Sequence, residues 1–174
     1  MVASSGGRAS WSFAGVGQPR NADLRRAASA AYYALYHELV NRVCEHLQPD
    51  ATDAKRWTLS RLFAHRNVLA VCEWILGATG IPGAKGPPAR VRAAFQRMRT
   101  STRLVDVALA FQTLQQARHE ADYDHLADFT RPATLSLIDQ SRDAIRKLRL
   151  VASVSPPMYQ RFMTHLAMCP AVSR

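Results

Sequence analysis

Residues 21–47 read NADLRRAASAAYYALYHELVNRVCEHL. Leu24, Ala28, Ala31, Leu35, Leu39, Val43 and Leu47 recur at steps of three and four, which draws one apolar stripe along a helix. Asn21 or Asp23 suits its start, and Pro49 follows its end. A helix of this length with one apolar face needs partners of its own kind to cover that face.

The rest of the chain supplies them. A second helical stretch is predicted from Asp53, as cap, to Leu76, with Leu62, Leu69, Cys72, Ile75 and Leu76 as its apolar face. The run from Gly77 to Pro88 is so rich in glycine and proline that it holds neither helix nor strand. Helix resumes near Ala89 and breaks around Thr100–Thr102. Beyond that, Leu104, Val107, Ala108, Phe111, Leu114, Ala117 and Ala121 give a continuous face. Thr130 with Pro132 marks a fresh start, a capping hydroxyl and then proline in the first turn. Thr134, Leu137, Ile138, Ser141, Ile145, Leu148 and Val151 carry that helix to about Ala152, and Ser155-Pro156-Pro157 opens a last one through Met168.

No segment alternates as a half-buried strand does, and there is no internal repeat. The expectation is an all-α, up-and-down bundle of four to six helices. Residues 1–20 read as a loose leader, 21–154 as the helical domain, and 155–174 as a short C-terminal helix and tail.

Composition narrows the function classes. The chain has 174 residues, 48% of them hydrophobic, enough for one domain with a real core. There are 23 basic against 13 acidic residues, a formal +10, which favours an anionic partner. Only Lys55, Lys85 and Lys147 are lysines, so arginine dominates. That suits bidentate phosphate pairing; coding bias in an Ala- and Arg-rich chain explains it equally well. Cys44, Cys72 and Cys169 are odd in number and lack Cys-x-x-Cys spacing. This argues against a disulfide framework and for a cytoplasmic setting. Met1–Gly7 has neither the positive start nor the apolar run of a signal peptide. No apolar run is long enough to span a bilayer, so no membrane partner is expected. Gly-x-Ser-x-Gly, phosphate-binding glycine loops and His-Glu-x-x-His are all absent from the sequence, and no cofactor is expected.

Three constellations remain. Between Trp74 and Val105 there is no Asp or Glu, while Lys85, Arg90, Arg92, Arg97, Arg99 and Arg103 sit there. Arg92, Arg99 and Arg103 are predicted near one helical face, with Arg90 and Arg97 on a neighbouring one. This is a candidate RNA-tracking surface or a solvated face. Tyr32, Tyr33, Tyr36 and His37 pair at i and i+4; the reading favoured is core or dimer contact, with base stacking as the alternative.

The third is Arg118-His-Glu-Ala-Asp-Tyr-Asp-His125. His119, Asp122 and His125 are three apart, but the outer pair points apart on a helix, so no metal site is expected. Arg118 and His125 together make a minimal kit for cutting RNA without metal. The substrate's 2′-OH is the nucleophile, histidine moves the proton, and arginine holds the phosphate oxygens as charge builds. In a chain this rich in arginine the spacing alone arises by chance. The alternative is an Arg118–Asp122 ion pair that fixes helix packing.

The context has a family likeness. Ser29-Ala-Ala-Tyr-Tyr-Ala-Leu-Tyr-His37 resembles the Ser-x-x-Tyr-Tyr-Ala-x-Phe-His signature of prokaryotic HEPN domains. Arg118-His-Glu-Ala-Asp-Tyr-Asp124 resembles the Arg-x-x-Ala-Asp-Tyr stretch of the same families, in the same order. The likeness covers roughly residues 22–152. It implies a helical bundle paired as a homodimer, and a metal-independent endoribonuclease of toxin–antitoxin, phage-defence or RNA-processing systems. Products would be 2′,3′-cyclic phosphate ends. Carried over by position, Arg118 and His125 are the catalytic pair, meeting the partner chain's pair across the dimer cleft. Tyr123 or Asp122 orients the histidine or holds the helix end, with His119 beside them. Ala30 and His119 depart from the family pattern, where arginine and asparagine are common. Other members are non-catalytic modules that bind a protein or nucleotide, partners of a nucleotidyltransferase among them. An antitoxin is the other protein partner the likeness implies.

Overall fold

The apolar stripe of residues 21–47 does form one helix. In the computed structural model, which describes residues 19–78 and 86–172, α1 runs Asn21–Leu47. It buries Ala28, Ala31, Leu35, Leu39 and Val43 as the stripe predicts, and adds Tyr32, Tyr36, Val40 and Cys44. Its cap is the extended Arg20, not Asn21. The Asn21 side chain reaches across the bundle: Oδ1 accepts from Phe129 N–H (3.0 Å) and Nδ2 donates to the Ala127 carbonyl (3.3 Å).

The stretch expected as one helix from Asp53 to Leu76 is two. These are α2 (Asp53–Ser60) and α3 (His65–Ala78), separated by a turn at 61–64. The break puts Phe63 into the core and leaves Leu62 72% exposed, against the expectation that Leu62 is apolar packing. Tyr36 Oη donates to the Phe63 carbonyl (2.6 Å), which fixes the turn on α1. α2 buries no residue of its own.

A 3₁₀ turn (Ala89–Val91) leads into α4 (Arg92–Met98). α5 (Thr102–Tyr123) begins at Ser101, whose Oγ accepts from Leu104 N–H (3.4 Å). All seven positions of its predicted apolar face are buried. α6 (Arg131–Val154) starts as predicted, with Thr130 Oγ1 accepting from Ala133 N–H (3.4 Å) and proline in the first turn. α7 (Pro156–Val172) is more than a short appendage. Its Phe162, Met163, Leu166 and Cys169 join the same core as α1, α3 and α5.

The architecture is an all-α helical bundle, with seven α-helices and no strand among the described residues. The helix count exceeds the expected four to six because the 53–76 stretch splits and α4 stands apart. α1 is the centre, packed on α5, α6 and α7. Ser141 Oγ donates to the Ala31 carbonyl (2.7 Å) inside the α1–α6 contact. No helix among the described residues is long and apolar enough to cross a membrane. The leader expected over 1–20 falls almost wholly outside the described residues, as do 79–85 of the Gly/Pro run.

Candidate functional site

Two short rows of polar side chains flank the buried stripes of α1 and α5. On α1 the row is Ser29, Tyr33 and His37, spaced by four, so that all three lie along one line of the helix. On α5 it is Arg118 and Asp122, spaced likewise, each one position beyond a buried alanine. Ser29 Oγ donates to Asp122 Oδ1 (2.6 Å), and Arg118 Nη2 donates to Tyr33 Oη (3.2 Å). The rows ascend on α1 and descend on α5, so the two helices are antiparallel and the polar seam follows from their register.

Arg118 is the best-held residue of the seam. Its Nε lies 2.6 Å from Asp122 Oδ2. The Nε–H makes no hydrogen bond, so this contact is an ion pair only. The guanidinium faces the Tyr33 and Tyr123 rings at 5.7 and 5.3 Å. Nη2 also approaches Tyr123 Oη at 3.5 Å. The side chain is still 25% exposed and Asp122 30%. Burial alone would ease the proton off Arg118; Tyr33, Asp122 and Tyr123 outweigh it and hold the charge more firmly. The result is a cation fixed in direction at a surface, as bidentate recognition of a carboxylate or phosphate requires.

The seam continues to a histidine that sequence reading does not single out. His65 opens α3, and its ring stacks on Tyr36 at 3.9 Å with Tyr33 edge-on at 5.8 Å. A 2.7 Å hydrogen bond joins its Nδ1 to the Tyr32 hydroxyl. Burial, then the charges of Arg118 and His37, hold its proton affinity below the ordinary 6.5. At neutral pH it is therefore an uncharged imidazole. His37 is exposed, its ring 6.1 Å from Tyr33 and 5.3 Å from Tyr36. Tyr32 and Tyr36 themselves are core residues with bonded hydroxyls, the structural role favoured from sequence; burial raises the proton affinity of both phenols.

The remaining sequence candidates are spread around the end of α5. His125 is exposed in the turn that follows the helix, and among the described residues no hydrogen bond or ion pair joins it to Arg118 or to a carboxylate. That turn is anchored: Arg25 Nε donates to the Ala121 carbonyl (2.9 Å) and its Nη1 to that of Ala127 (3.2 Å). Tyr123 is exposed and lies between Arg118 and His119, whose ring is 5.1 Å away. His119 points to another face, lining a groove between α3 and α5 with Glu73 and Glu120. His119, Asp122 and His125 are not brought together, and no other such metal-ligand cluster occurs among the described residues.

The arginines of the basic segment are all exposed, but they do not share one helix. Arg90 lies in the 3₁₀ turn, Arg92 and Arg97 on α4, Arg99 in the turn after it, and Arg103 in the first turn of α5. The single continuous helix that would carry all five therefore does not form. Arg103 and Arg118 stand at opposite ends of α5, about 22 Å apart along its axis at 1.5 Å per residue.

No protein-family model, no curated protein and no solved structure matches this chain. The HEPN likeness accordingly rests on the two motifs, which are the two rows of the polar seam.

Proposed function

We propose that the chain is a HEPN-like, homodimeric, metal-independent endoribonuclease acting on single-stranded RNA. The supporting observation is Arg118, a guanidinium oriented by Asp122 and Tyr33 yet one-quarter exposed, with no bond to Nη1 among the described residues. Such a group is organised to hold a phosphodiester before the reaction begins. In the reaction the RNA's own 2′-oxygen bonds to phosphorus as the 5′-oxygen leaves. A base takes the 2′-OH proton and an acid returns one to the leaving oxygen, giving a 2′,3′-cyclic phosphate and a 5′-OH. Arg118 neutralises the pentavalent phosphate. His125 is the acid or base, acting with its partner-chain counterpart across the dimer cleft. The exposed arginines at 90–103 draw the strand in at long range.

One observation favours a second reading. Asp122 already neutralises Arg118 within the same chain, as a packing ion pair would. In that reading the dimer binds RNA, a nucleotide or a partner protein such as an antitoxin or nucleotidyltransferase, without turnover. The deciding assay is cleavage of single-stranded RNA by purified protein in EDTA. The nuclease reading expects cutting by the wild type and none by His125→Ala. Equal cutting by that variant removes His125 from the mechanism; no cutting by either leaves the binding module.

A further inference from the structure

A cleft of about 370 Å³ opens next to the polar seam, between α1, α2 and the start of α3. Tyr36, His37, Trp57, Ser60, Arg61 and His65 line it. Its size is within the range of small-ligand pockets, and its chemistry is unusual for this surface. Trp57 is 64% exposed, on a helix that buries no residue fully. It is not a packing residue. The Arg61 guanidinium lies over its ring at 5.0 Å. Across the cleft, His65 is stacked flat on Tyr36, and His37 stands at the rim. Among the described residues no acidic side chain lines the cleft.

An exposed indole with a guanidinium over one face, and no carboxylate among the described lining residues, is what single-stranded nucleic acid uses. Every base has a π-face to stack, and its flanking phosphates need cations. Tyr36 and His65 line this cleft, and Tyr33 touches both His65 and Arg118. Tyr33 therefore bridges the cleft and the Arg118 guanidinium.

We infer that the Trp57–Arg61 cleft is a nucleobase-stacking pocket for single-stranded RNA, one that sets where the strand lies relative to Arg118. This rests on the proposed action on RNA and adds the element that grips a base instead of the backbone. It selects unpaired RNA, because a base inside a duplex offers no free face.

The test compares equilibrium binding of three labelled probes: a short single-stranded RNA, an abasic strand of equal length, and a duplex. Free nucleoside monophosphate serves as competitor. The wild type is expected to favour the single strand over the abasic strand by about tenfold. Trp57→Ala loses that preference while retaining its binding of the abasic strand, and Trp57→Tyr restores part of it. Competition by the free nucleotide identifies a mononucleotide as sufficient; none identifies the strand as the required ligand. Either outcome supports a base pocket. Unchanged preference in Trp57→Ala, with its helical circular dichroism intact, overturns the inference. The two proposals separate through Arg118→Ala. If that variant fails to cut but keeps the base preference, the pocket stands by itself. If the wild type cuts but shows no base preference, the nuclease stands without the pocket.

Discussion

Two arginine-bearing regions of this molecule use the side chain in opposite ways. At 90–103 the guanidinium groups are many and exposed, and they are distributed over a 3₁₀ turn, a short helix and the start of another. At the far end of α5 a single arginine is held by a carboxylate, a phenol and two aromatic faces. The first region contributes charge density, which acts at a distance and is screened by salt. The second contributes direction, which is what a transition state rewards. Net charge advertises the first and is silent on the second.

That contrast has its largest expected consequence at Arg118. In the proposed nuclease, Arg118→Ala should lower the rate of RNA cleavage about 10²–10³-fold, the usual effect of deleting one preorganised donor. Arg118→Lys should not restore it, because an ammonium lacks the planar fork. Single-turnover cleavage in EDTA measures both, and rescue by lysine would reduce Arg118 to a point charge like those at 90–103.

Removing Arg92, Arg97 and Arg103 together should act on binding, not chemistry. If each neutralises one phosphate, the slope of log affinity against log salt should become shallower by about 2, at roughly 0.7 per phosphate of a single strand. The bound-state cleavage rate should hold. A fall in that rate at saturating RNA would erase the distinction between the two regions.

Asp122→Asn sharpens the contrast from the stability side. Both partners of its ion pair are partly exposed, so thermal or denaturant unfolding should show a loss of about 1 kcal/mol or less. A loss of several kcal/mol would identify the pair as a packing device and favour the binding module.

The smallest effect is expected at His65. Burial, Arg118 and His37 hold its proton affinity down in the folded chain. The unfolded chain therefore binds that proton more readily. Stability is complete above pH 6.5, the ordinary histidine value, and is lost as the pH falls toward the lower folded value. His165, lowered by burial and by Arg161, adds to the same limb. His65→Gln should flatten the decline seen in denaturant titrations between neutral and mildly acid pH. An unchanged slope would show that His65 is not restrained by the seam.

Much of the bundle is legible in the sequence, since helices declare themselves through local periodicity. All seven apolar positions from Leu104 to Ala121 are buried, and the Thr130–Pro132 start is a local signal. The break at 61–64 carries no glycine or proline to announce it. It is held by a tertiary bond, from the Tyr36 hydroxyl to the Phe63 carbonyl, and the misplacing of Leu62 follows from it. The site divides in the same way. Arg118 and Asp122 are visible as an i, i+4 pair beside a buried stripe. His65, Trp57 and Arg61 are not, because their place beside Tyr33 and Tyr36 depends on how α2 and α3 dock against α1.

The most direct measurement is the identity of RNA ends after incubation with the purified chain and a chelator. A nuclease built on Arg118 leaves 2′,3′-cyclic phosphate and 5′-hydroxyl termini with the wild type and intact strands with Arg118→Ala. Intact RNA with both proteins, or the same termini from both, would contradict it.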